Sequence, residues 1–274
     1  MNLSFLSQLG LAVTPDVRLA DITTFKLGGP CLALVECRKA EDMIKAVRSL
    51  REENIPFLVM GFGANILASD HGVNQVIVRF TSPTPWVAEI STGVLEVDAA
   101  TQFDDLACFA VEHDLDGMAA FSGIPGTVGG AIAGNAGAYG DQIADCLSSV
   151  RLLKPDGTII IRPRHDIRSS YRDSDIKHSD DIVLSATFHL AVSQDPTALK
   201  ARRRDILAER ESKFGNWKKD PCAGSFFRNL EPTSRADRRQ AAGGVLDQAG
   251  AKTMNVRGAR TYPHHANIVT RDDG

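Results

Sequence analysis

Seven of the nineteen residues from 122 to 140 are glycine. Glycine lets backbone N–H groups approach a ligand closely and accepts positive φ, at a cost of roughly 0.5–1 kcal/mol wherever it interrupts regular structure. Such a run points to a bound phosphate or pyrophosphate. A flexible linker would be polar and serine-rich, whereas this run carries Ile124, Val128, Ile132 and Tyr139; tight turns inside a closely packed sheet domain are the other reading of the segment alone. A second glycine turn, Gly61-Phe62-Gly63-Ala64-Asn65-Ile66, begins like a dinucleotide fingerprint, but Ile66 stands at its sixth position and Phe80 where the ribose-binding acid belongs. Neither run ends in Gly-Lys-Ser/Thr, so no lysine waits for a transferred γ-phosphate and the kinase or ATPase class is excluded. His264-His265 lacks a third ligand at helical spacing, and the cysteines at 31, 37, 108, 146 and 222 form no Cys-x-x-Cys pair; no metal site is expected. Taken alone, Arg172 beside Asp173 reads as a surface ion pair and Ser225 as a turn or helix cap.

Hydrophobic periodicity supplies the elements that would position these residues. Leu32-Ala33-Leu34-Val35 reads as a strand after the break at Lys26-Leu27-Gly28-Gly29-Pro30. Met43, Ile44, Val47 and Leu50 recur at helical spacing, with Glu41 and Asp42 early and Arg48 and Arg51 late, and Pro56 ends that helix. Residues 57–60 read as a buried strand leading into the Gly61 turn, and 75–79 as the next strand. Ser82-Pro83-Thr84-Pro85 marks a boundary between lobes. Beyond it come a strand at 94–98, an amphipathic helix carrying Phe103, Leu106, Ala107, Ala110 and Val111, the glycine run, a hairpin joining 150–153 to 158–161, an apolar strand at 182–188 and a helix around 201–214. The order predicts an α+β or mixed α/β architecture.

At 274 residues the chain has room for two or three domains. Its formal net charge of −3 gives no electrostatic reason for a nucleic-acid partner. The basic cluster Lys200, Arg202, Arg203 and Arg204 is followed by Asp205, Glu209 and Glu211, as on a solvated helix face. Residues 1–13 lack the basic flank and cleavage site of a signal peptide, and no stretch approaches the ~20 apolar residues of a membrane span. The expectation is a soluble cytoplasmic protein with no membrane partner and free cysteines.

Six motifs occur in an order that resembles the UDP-N-acetylenolpyruvoylglucosamine reductase family: Thr24-Phe25-Lys26-Leu27-Gly28-Gly29-Pro30, Gly61-Phe62-Gly63-Ala64-Asn65-Ile66-Leu67, Gly123-Ile124-Pro125-Gly126-Thr127-Val128-Gly129-Gly130-Ala131, Asn135-Ala136-Gly137-Ala138-Tyr139-Gly140, Tyr171-Arg172-Asp173-Ser174 and Gly224-Ser225-Phe226-Phe227-Arg228-Asn229. The resemblance runs from about residue 21 to 270. It implies an α+β chain: an N-terminal segment 1–20, a two-lobed FAD-binding domain of the vanillyl-alcohol-oxidase type at 21–192 (lobes 21–80 and 85–192), and a smaller, truncated α+β substrate-binding domain at 193–274. It further implies a monomer using non-covalent FAD, since no histidine stands at the usual attachment point, and NADPH as hydride donor. The reaction would be reduction of UDP-N-acetylglucosamine enolpyruvate to UDP-N-acetylmuramate, a step of peptidoglycan synthesis that serves cell-wall biogenesis, cell shape and division.

Carried over residue by residue, the resemblance puts Gly61, Gly63, Ala64, Asn65, Ile66, Gly126, Thr127, Gly129, Gly130, Asn135, Gly137 and Val183 at the cofactor, and Tyr171, Arg228 and Asn229 at the UDP-sugar. It makes Arg172 the guanidinium that grips the substrate carboxylate as negative charge builds there, and Ser225 the proton donor to the enolate. Ala64 stands where the family usually has serine, Arg228 where it has lysine and Leu230 where it has proline. The family's catalytic glutamate lies well beyond the His265-Ala266-Asn267 stretch, and the last glutamate here, Glu231, precedes that stretch. Thr270-Arg271-Asp272-Asp273-Gly274 reads as a turn into a further element, so the expectation is a truncated piece of a longer protein; the alternative is a flavin- or nucleotide-binding protein without reductase activity.

Overall fold

The computed structural model describes residues 3–215, 219–232 and 239–271; the closing Asp272-Asp273-Gly274, read above as part of a turn, lies outside the described residues. The first sheet holds β1 (Ala12–Pro15), β2 (Cys31–Cys37), β3 (Phe57–Met60) and β4 (Val73–Phe80) in the order β1-β2-β4-β3. β1 pairs antiparallel with β2, so this sheet takes in chain that precedes residue 21. β2 and β3 both run parallel to β4. Parallel strands need a crossover, and α1 (Ala40–Glu52) provides it between β2 and β3, burying Met43, Ala46, Val47 and Leu50 at i, i+3, i+4 and i+7. The helix ends at Glu52, and Asn54 turns the chain with φ +54° before Pro56 is reached.

Expected as a buried strand, β3 is an edge strand whose Leu58 and Val59 are 45% and 41% exposed. A short apolar run looks the same in sequence at the centre of a sheet and at its rim.

The second sheet is antiparallel throughout. Its strands β5 (Val87–Ser91), β6 (Val94–Asp98), β7 (Leu147–Leu153), β8 (Ile159–Pro163) and β9 (Ile182–His189) lie in the order β8-β7-β9-β6-β5. α2 (Phe103–Glu112) packs Phe103, Leu106, Ala107, Ala110 and Val111 inward. One apolar cluster joins Val35, Met43, Leu50 and Val78 to Leu95, Leu106, Phe121, Val150 and Phe188, so α1 and both sheets share a core. At the end of β6, the Asp98 carboxylate accepts the Ala100 N–H at 2.8 Å. Burial pushes its pKa up to about 6, against hydrogen bonds from the backbone of Ala100 and of Ala40, the first residue of α1.

The glycine run is not loop throughout. α3 (Val128–Ala133) forms inside it, although glycine costs a helix interior about 1 kcal/mol relative to alanine. The second sheet supports it: Val128 N–H donates to Thr101 C=O at 2.9 Å and Gly129 N–H to Ala99 C=O at 3.0 Å. α4 (Pro196–Phe214) starts before residue 201 because the Asp195 side chain caps it, accepting from Ala198 N–H at 2.9 Å, with Pro196 at its first turn. Last come α5 (Ala242–Gln248) and an antiparallel sheet of β10 (Asn255–Val256), β11 (Ala259–Tyr262) and β12 (His265–Arg271).

Candidate active site

The two glycine turns, far apart in sequence and carried by different sheets, meet. A Cβ on Gly61, at the end of β3, would lie 2.4 Å from Thr127 Oγ1 at the start of α3. That hydroxyl is the N-cap of α3 and accepts from Gly130 N–H at 3.3 Å. Gly63, at φ +68°, lies where a Cβ would be 2.8 Å from Ile22 C=O, and its own C=O accepts the Thr24 N–H at 3.2 Å. Gly129 sits on Ala99 and Val183, which would be 3.1 Å and 3.7 Å from its Cβ, and Val183 is buried beneath it. A Cβ on Gly137 would lie 2.8 Å from Asp141 C=O.

Gly61, Gly63, Gly129 and Gly137 are therefore glycine because protein presses on them. Gly126 is different: its φ is +140° and nothing would lie within 4 Å of a Cβ there. Gly130, exposed, would meet only Thr127 Oγ1 at 3.5 Å. Backbone that adopts a glycine conformation while facing open space is a cradle that a ligand's phosphates can approach closely. A dinucleotide cofactor such as FAD fits this part of the site. Ala64 is half-buried, while Asn65 and Ile66, which follow it in the turn, are exposed.

Tyr171 and Arg172 form the two-residue turn of a hairpin that pairs Ser169 with Ser174 and Ser170 with Asp173. Arg172, the second turn residue, has φ +58°, a conformation uncommon outside glycine. The exposed guanidinium lies 5.7 Å from the Tyr171 ring centroid and makes no ion pair with any described residue. Two bonds fix this hairpin to the glycine run: Ser174 Oγ donates to Ala133 C=O at 2.8 Å, and Asn135 Nδ2 donates to Ser170 C=O at 2.8 Å. Asn135 also donates to Gln142 Oε1 and accepts from Ala144 N–H, so its buried amide braces the hairpin and has little capacity left for a ligand. The His178 imidazole bonds both oxygens of Asp173, at 2.8 Å and 2.9 Å, and holds that carboxyl below its usual pKa range.

The Gly224-Ser225-Phe226-Phe227 loop is held from the other side. Ser225 bridges Ile268 of β12. Phe226 N–H donates to Asn267 C=O at 3.0 Å, Phe227 N–H to Asn267 Oδ1 at 2.9 Å, and Asn267 Nδ2 returns a bond to Phe227 C=O at 2.8 Å. Asn267 was not among the expected site residues; an asparagine next to the apolar pair Ile268-Val269 was the available signal for this clamp. Thr24 ties the loop to the first sheet: its hydroxyl donates to Cys222 C=O at 2.8 Å. Tyr171 Oη accepts Asn229 N–H at 3.3 Å, while the Asn229 side chain accepts from Ala242 N–H at the start of α5. Arg228 reaches the Arg172 carbonyl at 3.5 Å, the outer limit of a hydrogen bond.

A further support was not foreseen. Asp104 Oδ1 accepts both Gly123 N–H and Arg203 Nη1, each at 2.7 Å, so Arg203 braces the glycine run and does not lie on a solvated face. Among the described residues no group of three or more His, Cys, Asp or Glu side chains is placed to hold a metal ion, and no helix is long and apolar enough to cross a membrane.

Residues 31–161 match a family model described as FAD binding domain, and residues 216–274 one described as UDP-N-acetylenolpyruvoylglucosamine reductase, C-terminal domain. The UDP-N-acetylenolpyruvoylglucosamine reductase of Anoxybacillus flavithermus is 31% identical over 263 residues, covering 96% of this chain and 83% of that protein. The enzyme of the same name from Parasynechococcus marenigrum is 33% identical over 260 residues, covering 94% and 84%. The crystal structure of the UDP-N-acetylenolpyruvylglucosamine reductase of Thermus caldophilus superposes with a TM-score of 0.77 at 25% identity, over 95% of this chain and 88% of that one. With these similarities spanning both the glycine-turn lobes and the Ser225 region, the chain belongs to the UDP-N-acetylenolpyruvoylglucosamine reductase family.

Proposed function

We propose that the protein reduces the enolpyruvyl ether of UDP-N-acetylglucosamine to UDP-N-acetylmuramate at the expense of NADPH, in the cytoplasm, as a step in making the peptidoglycan precursor on which cell shape and division depend. FAD would be held without a covalent link by the Gly61 turn and the 126–130 stretch, and when bound would supply the hydride transfer. The surrounding chain supplies orientation and charge. The open backbone at Gly126 and Gly130 suits pyrophosphate oxygens, with Thr127 and Gly61 fixing that backbone from the two lobes and Ala64, Asn65 and Ile66 beside it.

Arg172 is suited to the substrate carboxylate: a guanidinium stays charged and can hold both carboxylate oxygens, and its hold strengthens as the alkene becomes an enolate. Ser225 is suited to deliver a proton to the other alkene carbon, because Asn267 holds its loop at two backbone positions. Tyr171, Arg228 and Asn229 would meet the UDP-sugar from between these loops. We assign residues 193–274 to the substrate-binding part and the two sheets before it to the cofactor, in a protein acting as a monomer.

The observation that carries this reading is the tethering of three distant loops to one another, Thr24 to both Gly63 and Cys222 and Tyr171 to Asn229. The test separates the half-reactions. Arg172→Ala and Ser225→Ala should leave reduction of bound flavin by NADPH intact and slow substrate-driven reoxidation at least about 100-fold. Unchanged turnover in both variants refutes the assignment.

A further inference from the structure

Arg210 lies one turn before the end of α4, half-buried. Its side chain runs against the glycine run: a Cβ on Gly123 would lie 3.4 Å from both its Cδ and its Nε. The guanidinium carbon sits 5.0 Å from the Phe214 ring centroid. Yet this cation makes no hydrogen bond or ion pair with any described residue. Its acidic neighbours are engaged elsewhere, Asp104 by Gly123 N–H and Arg203, and Glu209 by Lys213 and the Tyr139 hydroxyl.

Burial lowers the pKa of Arg210, and the charge of Arg172 lowers it further; the Tyr139, Asp104 and Glu209 side chains act against that. A half-buried guanidinium within the field of a second one, both lacking an anion, is costly to keep unless a ligand supplies the negative charge.

We propose that Arg210 is an oxyanion-binding residue of the substrate site, taking a phosphate or carboxylate group of the ligand between the glycine run and the Tyr171-Arg172 turn. This rests on the function proposed above, whose substrate carries both kinds of oxyanion. Gly123 and Phe214 orient the guanidinium: glycine leaves room for its stem, and the aromatic ring accepts the planar cation without neutralising it.

The test uses full-length flavin-loaded protein and two probes titrated against the flavin spectrum: UDP-N-acetylglucosamine, which carries only the diphosphate, and its enolpyruvyl ether, which carries the carboxylate as well. Arg210→Met keeps the unbranched stem and removes the charged head, Arg210→Lys keeps the charge, and Arg204→Met removes an exposed charge from the same helix. Arg210→Met should weaken binding about 10- to 100-fold, with partial recovery in Arg210→Lys and no change in Arg204→Met. Equal weakening for both probes assigns the diphosphate, and weakening for the enolpyruvyl ether alone assigns the carboxylate; either supports the proposal. Affinities within threefold of wild type for both probes overturn it, as does a loss that follows a matching loss of flavin retention or melting temperature. Wild-type protein that ignores both probes overturns the proposed function itself, and this inference with it.

Discussion

Gly61→Ala tests whether the two glycine turns touch. Gly61 does not need a positive φ, so the methyl group acts by sterics alone. Its carbon would stand 2.4 Å from Thr127 Oγ1, 3.1 Å from Cγ2 and 3.3 Å from Cβ. Relief of that overlap means moving the Thr127 side chain about 1 Å or rotating it away from Gly130 N–H, which surrenders the cap of α3. Overpacking of this kind costs about 1–3 kcal/mol. Thr127→Ala alone gives up the cap, about 1 kcal/mol. In the double variant the clashing hydroxyl and methyl are gone, leaving only the tight 3.3 Å approach of two Cβ atoms. Its destabilisation should therefore be about 1–1.5 kcal/mol, well below the sum of the single effects, giving a coupling of about 1–2 kcal/mol. Urea unfolding of the four proteins measures the cycle, and flavin content measured alongside should fall in Gly61→Ala and recover in the double variant. Additivity within about 0.5 kcal/mol would mean that the turns are not in contact, and would remove the geometric basis for a cofactor site between the lobes.

Asp98 makes a prediction about pH. Its folded pKa of about 6 lies above the ordinary aspartate value of 3.8, so the folded state holds the proton more tightly. The resulting stability is complete below about pH 4 and is lost as pH rises through about 6; it amounts to at most about 3 kcal/mol. Asp98→Asn should flatten this part of the stability profile, and thermal melts from pH 4 to 7 that keep the wild-type slope would refute the assignment. Asn267→Ala removes the acceptor for Phe227 N–H and the donor to Phe227 C=O, at a cost of about 1–3 kcal/mol. With Ser225 less well placed, substrate-driven flavin reoxidation should slow by at least tenfold while reduction by NADPH stays within twofold, as stopped-flow absorbance will report. Asp104→Ala leaves Gly123 N–H and Arg203 without their shared acceptor and should lower stability by about 1–3 kcal/mol, with Asp104→Asn recovering part of it.

Apolar spacing alone located β6 to the residue and the body of α2, because each presents a regular buried face. It missed β5, whose exposed Glu89 and Ile90 follow a proline-rich joint, and it missed α3, where four glycine positions in and beside a six-residue helix outweigh the pattern. What holds α3 is the backbone of Ala99 and Thr101, which no local reading can anticipate. The site was legible as a set of motifs, but the division of labour inside it was not. Gly126 faces open space while Gly61 is crowded, and Asn135 spends its amide on Ser170. Each distinction depends on which distant segment arrives next to the residue.

The Thr24 hydroxyl bond to Cys222 joins positions 198 residues apart. During synthesis at about 5–20 residues per second, Thr24 and the Gly63 turn wait roughly 10–40 s for that partner to be made. The first sheet can form in that interval, since its strands all lie within residues 12–80, whereas the 222–225 loop and the strand β12 that it bridges are made later. The tie between Thr24 and the Cys222 loop is thus a late bond laid over an early sheet, and a chain that stalls before Cys222 leaves the Thr24 hydroxyl without that acceptor.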